Sequence, residues 1–202
     1  GTLQREREPA MNLSSWKDVP GMFDEDDART LQAAVRAAPR GSAHVELGAW
    51  CGRSMAAAAE VLPDGVRLFS YDNYLPDSQA AGGAGKTPAE AKAYRELVCA
   101  HYRSLEKSVY GIECESAEGG RQFYDRERMG VHSLLIDDHH TAEQVEANLT
   151  AWGPHLLPRA IVLLHDYRHP PYRIAETAER MLPGMGFRFI GQVGGLGIWE
   201  RP

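Results

Sequence analysis

The sequence predicts a single α/β domain: a mainly parallel seven-stranded sheet with helices on both faces. Three observations predict it. Short apolar runs such as Val131 to Ile136 and Ala160 to Leu164 alternate with longer stretches that carry apolar residues at helical spacing. These runs end on polar residues (Glu46, Asp72, Glu115, Asp137 and His165-Asp166), the place where ligands gather beyond the carboxyl ends of strands in an open sheet. Finally, 202 residues with 43% hydrophobic and 25% charged content suit one domain with a sizeable core.

Gly1 to Pro20 is polar, charged and weakly periodic, and is expected to form a flexible arm ahead of a domain spanning residues 21–202. Asp24 to Ala38 reads as a helix with an acidic start and Leu31, Ala34, Val35 and Ala38 on one face, ended by Pro39-Arg40-Gly41. A short strand then runs to Glu46, a glycine-bounded turn spans Gly48 to Gly52, and an alanine-rich helix follows from Met55 to Leu62. Strand, tight turn and helix start together form a cradle for a nucleotide cofactor. N–H groups at the helix start attract an anionic group, and the glycines let backbone approach the ligand. The glycine spacing decides which cofactor. A dinucleotide fold wants Gly-x-Gly-x-x-Gly, with the middle glycine against a pyrophosphate; here Trp50 stands in that place. Glu46-x-Gly48-x-x-x-Gly52 suits S-adenosylmethionine, which has no phosphate and offers a methionine carboxylate.

Val66 to Tyr71 is the second strand and ends on Asp72. That acid lies roughly 20 residues beyond the glycines, where this kind of fold places the carboxylate that binds ribose hydroxyls. Asn73 to Pro88 is a long glycine-rich loop, either a lid over the substrate or a tolerated insertion; Lys86 within it lacks the preceding strand of a phosphate loop. A helix over Ala89 to Lys107 carries Ala93, Leu97, Ala100 and Leu105, and a strand over Ser108 to Cys114 follows. Glu115 or Ser116 either contacts the adenine or caps the helix of residues 117–127. Beyond Val131 to Ile136 come Asp137-Asp138-His139-His140, a helix over Ala142 to Leu157, the strand ending on His165-Asp166, and a helix from Pro170 to Met181. Two closing strands, Gly186 to Gln192 and Gly194 to Glu200, are expected to pair antiparallel.

Glu46-Leu-Gly-Ala-Trp-Cys-Gly-Arg-Ser54 resembles the first motif of class I S-adenosylmethionine-dependent methyltransferases, and the chain looks closest to the catechol O-methyltransferase-like and macrocin O-methyltransferase/cephalosporin-hydroxylase-like groups. The resemblance implies a Rossmann-like fold and O-methylation of a small molecule, a sugar or natural-product scaffold. It implies that Glu46, Gly48, Gly52 and Ser54 hold the methionine end, Ser54 on its carboxylate, with Asp72 on the ribose and Ser116 and Asp137 completing the cofactor site. Asp137-x-x-His140 resembles the motif in which the Asp binds a divalent metal and the fourth residue is the general base. His165-Asp166 stands where those groups complete the metal site, which makes Asp137, His165 and Asp166 candidate ligands. Magnesium prefers oxygen donors, and a histidine in an acid's place tilts the site towards manganese, iron or zinc. Alternatively His165 is itself a base and no metal binds. His169-Pro-Pro-Tyr172 imitates the motif of amino methyltransferases but begins with His and follows the fifth strand instead of the fourth.

Other classes are disfavoured. A net charge of −6 argues against a nucleic-acid grip. Three cysteines without metal-site spacing read as reduced thiols, and there is neither a transmembrane run nor a signal peptide, so a cytoplasmic protein without membrane attachment is expected. The small size suggests that a second copy in a homo-oligomer helps close the pocket. Rival functions are a non-catalytic S-adenosylmethionine-binding protein and a metal-dependent hydroxylase-like enzyme on the same scaffold.

Overall fold

The computed structural model describes residues 13–74 and 85–202. The centre of the loop expected as lid or insertion, and the first part of the expected arm, lie outside the described residues. Leu13 to Pro20 differs from the expectation of a loose arm. Leu13, Trp16 and Val19 are buried in the core, and the Arg53 guanidinium packs 4.8 Å from the Trp16 ring centroid while donating to the carbonyls of Val19 and Phe23. Spaced three residues apart in a polar stretch, these apolar anchors were too sparse to register as a helical face.

Helix α1 (Glu25–Arg36) starts from a capping box between Asp24 and Asp27. Strand β1 (Ala43–Leu47) leads through the glycine turn into α2 (Arg53–Glu60), and β2 (Arg67–Asp72) follows. Thr87 caps α3 (Pro88–Ser104), which has proline in its first turn. Its buried face is Ala91, Arg95, Val98, Cys99 and Tyr102, so the expected Leu97 and Leu105 are exposed and the face is rotated from the expected one. Strand β3 (Val109–Glu113), helix α4 (Ser116–Glu127) and strand β4 (Val131–Ile136) match the expected order.

Helix α5 (Ala142–Trp152) ends earlier than expected, in a 3-10 turn over Gly153–His155 that contains Pro154. Strand β5 (Leu156–Leu164) correspondingly begins earlier, with a register shift between its pairings to Val131 and Ser133. Leu156, which falls within the expected helix, is the first residue of a strand. Helix α6 (Ile174–Met181) starts four residues late, after Arg173, which takes the left-handed conformation (φ 56°) at its N-terminus. Strands β6 (Arg188–Val193) and β7 (Leu196–Glu200) form the expected antiparallel pair.

The sheet order is β3-β2-β1-β4-β5-β7-β6, parallel except for β7. Leu47 at the end of β1 pairs with both Tyr71 and Ile136. The residues that follow β1, β2 and β4 therefore emerge at one level, at the point where the strand order reverses. This switch point is where an open sheet leaves a crevice. One core layer lies under α1 and α2, with Leu31, Val35 and Met55. The other lies under α4 and α5, with Phe123, Leu149 and Trp152.

His44 in β1 is fully buried, its Nδ1 2.8 Å from Ser133 Oγ. Burial pushes its pKa down from 6.5 to about 3. A depressed folded-state value means that its stabilising contribution is whole above pH 6.5 and is lost as pH falls towards 3. Glu46, raised to about 8, acts in the opposite sense, so the His44 contribution is read against a variant. Between pH 7 and pH 5 the native protein should lose about 2 kcal/mol relative to His44→Gln, as proton linkage requires. Urea unfolding of both proteins at the two pH values checks this, and parallel curves would contradict it.

Candidate functional site

The glycine turn is shaped by its neighbours. Gly48 has φ +86°, and a Cβ on it would lie 2.2 Å from the carbonyl oxygen of Asp137. The turn is tied down by Asp72, whose Oδ2 accepts from the amides of Ala49 at 3.0 Å and Trp50 at 2.8 Å, while Oδ1 accepts from Tyr74 N. Asp72 thus organises the cradle as well as facing it. Gly52, with φ +85°, is the left-handed residue from which α2 starts.

Two cavities open over the strand ends. The first lies above β1, β2 and β4 and is lined by Asp72, Asn73, Glu115, Ser116, Asp138 and His139. The second extends towards β5 and the N-terminal segment, with Met22, Phe23, Ser54, His165, Asp166 and Tyr172. Gly48, Trp50, Asp137 and His140 border both. The junction between the cavities is therefore walled by one carboxylate and one imidazole.

Glu46 lines neither cavity. It is fully buried beneath the turn, where Ser54 Oγ donates to its Oε1 and its Oε2 has no hydrogen-bond partner. Burial raises its carboxyl despite that hydrogen bond, with the negative Asp137 and Asp72 adding to the effect. The Ser54 hydroxyl, expected on a cofactor carboxylate, is engaged inward on Glu46. Gly52 likewise lines neither cavity. Glu115 is the helix cap of the two alternatives, accepting from Ala117 N and Glu118 N. Ser116 remains on the cavity wall, its carbonyl holding Trp152 Nε1. Asp138 is held by Asn148 Nδ2, and burial raises its carboxyl to about 6.

The structure brings Asp137, His140, His165 and Asp166 together. His165 Nδ1 is 2.9 Å from Asp137 Oδ1, and His140 Nε2 is 3.4 Å from the same oxygen and 3.2 Å from Asp166 Oδ2. Ligand atoms of Asp137, His140 and His165 all lie within 4.8 Å of one another. Burial alone would depress both imidazoles, but the Asp137 carboxylate beside each, supported by Asp166, holds both above the ordinary histidine value. Burial would raise Asp137, and the two histidines hold it below the usual carboxylate range.

Sequence reading missed two contributors. Asp27 of α1 reaches His165 Nε2 at 3.4 Å; it was read only as part of an acidic helix start. Tyr172 was set aside with the imitation motif, yet its ring stacks on His140 at 4.8 Å between centroids and lines the second cavity. Tyr167 is buried with its ring against Phe189, and Tyr74 is buried with its hydroxyl on the Trp50 carbonyl.

Residues 45–167 match a family model described as a methyltransferase domain. No curated protein matches the sequence. The fold is similar to CalS11, a calicheamicin methyltransferase, with TM-score 0.66 and 16% identity over 86% of this chain and 76% of that one. It is similar to an O-methyltransferase from Bacillus cereus solved with S-adenosylhomocysteine, with TM-score 0.66 and 13% identity over 92% and 86% of the two chains. TrmN from Thermus thermophilus matches with TM-score 0.58 and 16% identity over 87% of this chain and 48% of that one. With the sheet order, the turn after β1 and the matched family model together, the chain belongs to the methyltransferase-domain family and is a class I S-adenosylmethionine-dependent methyltransferase.

Proposed function

We propose that the protein transfers the methyl group of S-adenosylmethionine to a hydroxyl of a small molecule, a sugar or natural-product scaffold, with His140 as general base. The observation that carries this reading is the place of His140, on the wall shared by the two cavities and supported by two carboxylates. The residues suit the cofactor's charges. Its sulfonium and ammonium are cationic, and Asp72 and Asp137 face the first cavity. The start of α2, with Arg53 and Ser54 on the second cavity, suits its carboxylate. Glu46, Gly48 and Gly52 shape that end, Asp72 takes the ribose, and Ser116 lies on the adenine side.

The cofactor supplies an electrophilic methyl group on sulfur. With the cofactor bound, the His140 imidazole would take the proton of the acceptor hydroxyl as its oxygen attacks that methyl group, for which neutral thioether sulfur is the leaving group. A neutral imidazole is suited to that proton near pH 7. Asp137 and Asp166 orient the ring and stabilise the imidazolium, Tyr172 packs on its face, and Trp50 and Phe23 wall the acceptor side against water.

The cluster also fits a divalent ion. His165 Nδ1 and His140 Nε2 are buried without a well-directed hydrogen bond, close to Asp137 Oδ1. Asp137, His165 and Asp166 would hold the ion, with nitrogen favouring manganese, iron or zinc over magnesium. A bound ion would lower the pKa of the acceptor oxygen. Among the described residues no helix is long and apolar enough to cross a membrane. The three free cysteines support a reducing, cytoplasmic setting, and the acidic net charge supports an acceptor other than nucleic acid.

Calorimetric titration with S-adenosylhomocysteine, then labelled methyl transfer to a panel of phenols and glycosides, tests the reading. Asp72→Ala should weaken S-adenosylhomocysteine by about 10- to 100-fold, the worth of charge-assisted hydrogen bonds. Absence of binding to the native protein contradicts the cofactor assignment. Transfer to an amine or thiol in place of a hydroxyl overturns the O-methylation.

A further inference from the structure

We infer that Asp27 is a positioning residue of the site: from α1 it pairs with His165 Nε2 and so keeps His165 Nδ1 beside Asp137 as a nitrogen donor for a divalent ion. This rests on the reading of Asp137 and His165 as ligands. Asp27 stands where the apolar stripe of α1 (Leu31, Ala34, Val35) calls for a hydrophobic residue, and it is 2% exposed. A carboxylate is expensive to bury unless it is paired and hydrogen-bonded. Here both oxygens are engaged: Oδ1 accepts from Gly195 N at 2.8 Å, and Oδ2 lies 3.4 Å from His165 Nε2 and accepts from Asp24 N at 3.5 Å in the capping box. The turn between β6 and β7 is bare enough to admit the pair. A Cβ at Gly194 would lie 2.6 Å from Asp27 Oδ1, and one at Gly195 would lie 3.2 Å from His165 Nε2.

The geometry has a chemical consequence. With Nε2 facing the Asp27 carboxylate 3.4 Å away, the ring's remaining nitrogen is Nδ1, which lies 2.9 Å from Asp137 Oδ1. Phe23 packs on the ring at 5.5 Å between centroids and limits its rotation. A carboxylate behind a ligating imidazole fixes its tautomer and raises its basicity. Asp27 does this from an element that contributes no ligand of its own.

Asp27→Asn tests the role with little change of shape. The Gly195 amide must still donate to the side-chain oxygen, so the Asn NH₂ is forced to face His165 Nε2. That donor demands a lone pair on Nε2 and moves the proton to Nδ1, where the ion needs the lone pair. Titration with Co²⁺ alone, followed by visible absorption, should show native binding with nitrogen-ligated bands and about 10- to 100-fold weaker binding in Asp27→Asn, the usual effect of losing such a partner. S-adenosylhomocysteine should bind both proteins equally. In a His165→Ala background, Asp27→Asn should change nothing further, whereas a merely structural role would weaken binding in both backgrounds. Equal Co²⁺ affinity of native and Asp27→Asn, or additive losses in the double variant, overturns the positioning role alone. No Co²⁺ binding by a native protein that still binds S-adenosylhomocysteine overturns the metal reading together with this inference.

Discussion

Replacing His140 by glutamine lowers the methyl-transfer rate by about 10²- to 10⁴-fold, the range of a positioned acid–base group, while S-adenosylhomocysteine binds unchanged. The imidazole wall is what this substitution removes: Nε2 lies 3.2 Å from Asp166 Oδ2 and 3.4 Å from Asp137 Oδ1, and glutamine has no lone pair basic enough to accept a hydroxyl proton. The pH profile carries a second signature. Burial alone would lower the pKa of His140, but Asp137 and Asp166 lift it above 6.5 against the repulsion of His165. The base is active when neutral, so the native rate should rise with pH through a midpoint above 6.5, and the residual rate of His140→Gln should lack that limb. Steady-state rates from pH 5.5 to 9 check both points. A rate within a few-fold of native removes His140 from the chemistry. Loss of Co²⁺ binding in His140→Gln would reassign it as a ligand, since its Nε2 belongs to the same cluster as Asp137 and His165.

How much of this was legible in the sequence depended on how local the cause was. The succession of strands and helices along the chain and the polar strand ends followed from periodicity and from the turn Gly48–Gly52, and Val131–Ile136 came out with its bounds because it is a short apolar run between turns. The α5–β5 boundary did not, because Leu156 fits a helical face and a strand equally well, and only pairing with Val131 decides between them. In the candidate site, Asp72, Asp137, His165 and Asp166 were legible because each sits at a strand end, where the fold gathers side chains, and His140 because Asp137-x-x-His140 resembles a known motif. Asp27 could not be found that way. Its significance comes from contact with Gly195 and His165, which are remote in sequence, and its local pattern has a sufficient explanation in the capping box with Asp24. The one local hint was an acid on an otherwise apolar stripe. The Ser54 hydroxyl shows the converse: its motif position was legible, but its bond to Glu46 depends on how β1 and α2 pack.

Gly48→Ala should destabilise the protein by about 2–6 kcal/mol, adding a strained left-handed backbone to an overpacked contact, and should weaken S-adenosylhomocysteine as well. The reason lies in what surrounds the missing side chain. A Cβ would come 2.2 Å from the Asp137 oxygen, 2.6 Å from its carbonyl carbon and 2.7 Å from Asp138 Cα. All three are backbone atoms, so no side chain can swing away. The strand ends cannot separate freely either, because Gly48 N donates to the Tyr71 carbonyl and Asp137 N donates to the Leu47 carbonyl, both at 2.8 Å. Relief therefore has to displace the segment that carries Asp137 and His140, and a shift of about 1 Å at reacting groups can cost on the order of 10² in rate. Gly52→Ala is the matched control. Its φ of +85° is nearly the same, but its nearest neighbour would be Arg95 Cα at an ordinary 3.5 Å. It should lose only the backbone strain, about 1 kcal/mol for a single residue in the left-handed region. Urea unfolding and calorimetry on the two variants separate strain from clash. Equal losses in both would show that the junction of β1 and β4 yields to a methyl group, and that Gly48 is required for its backbone angle alone.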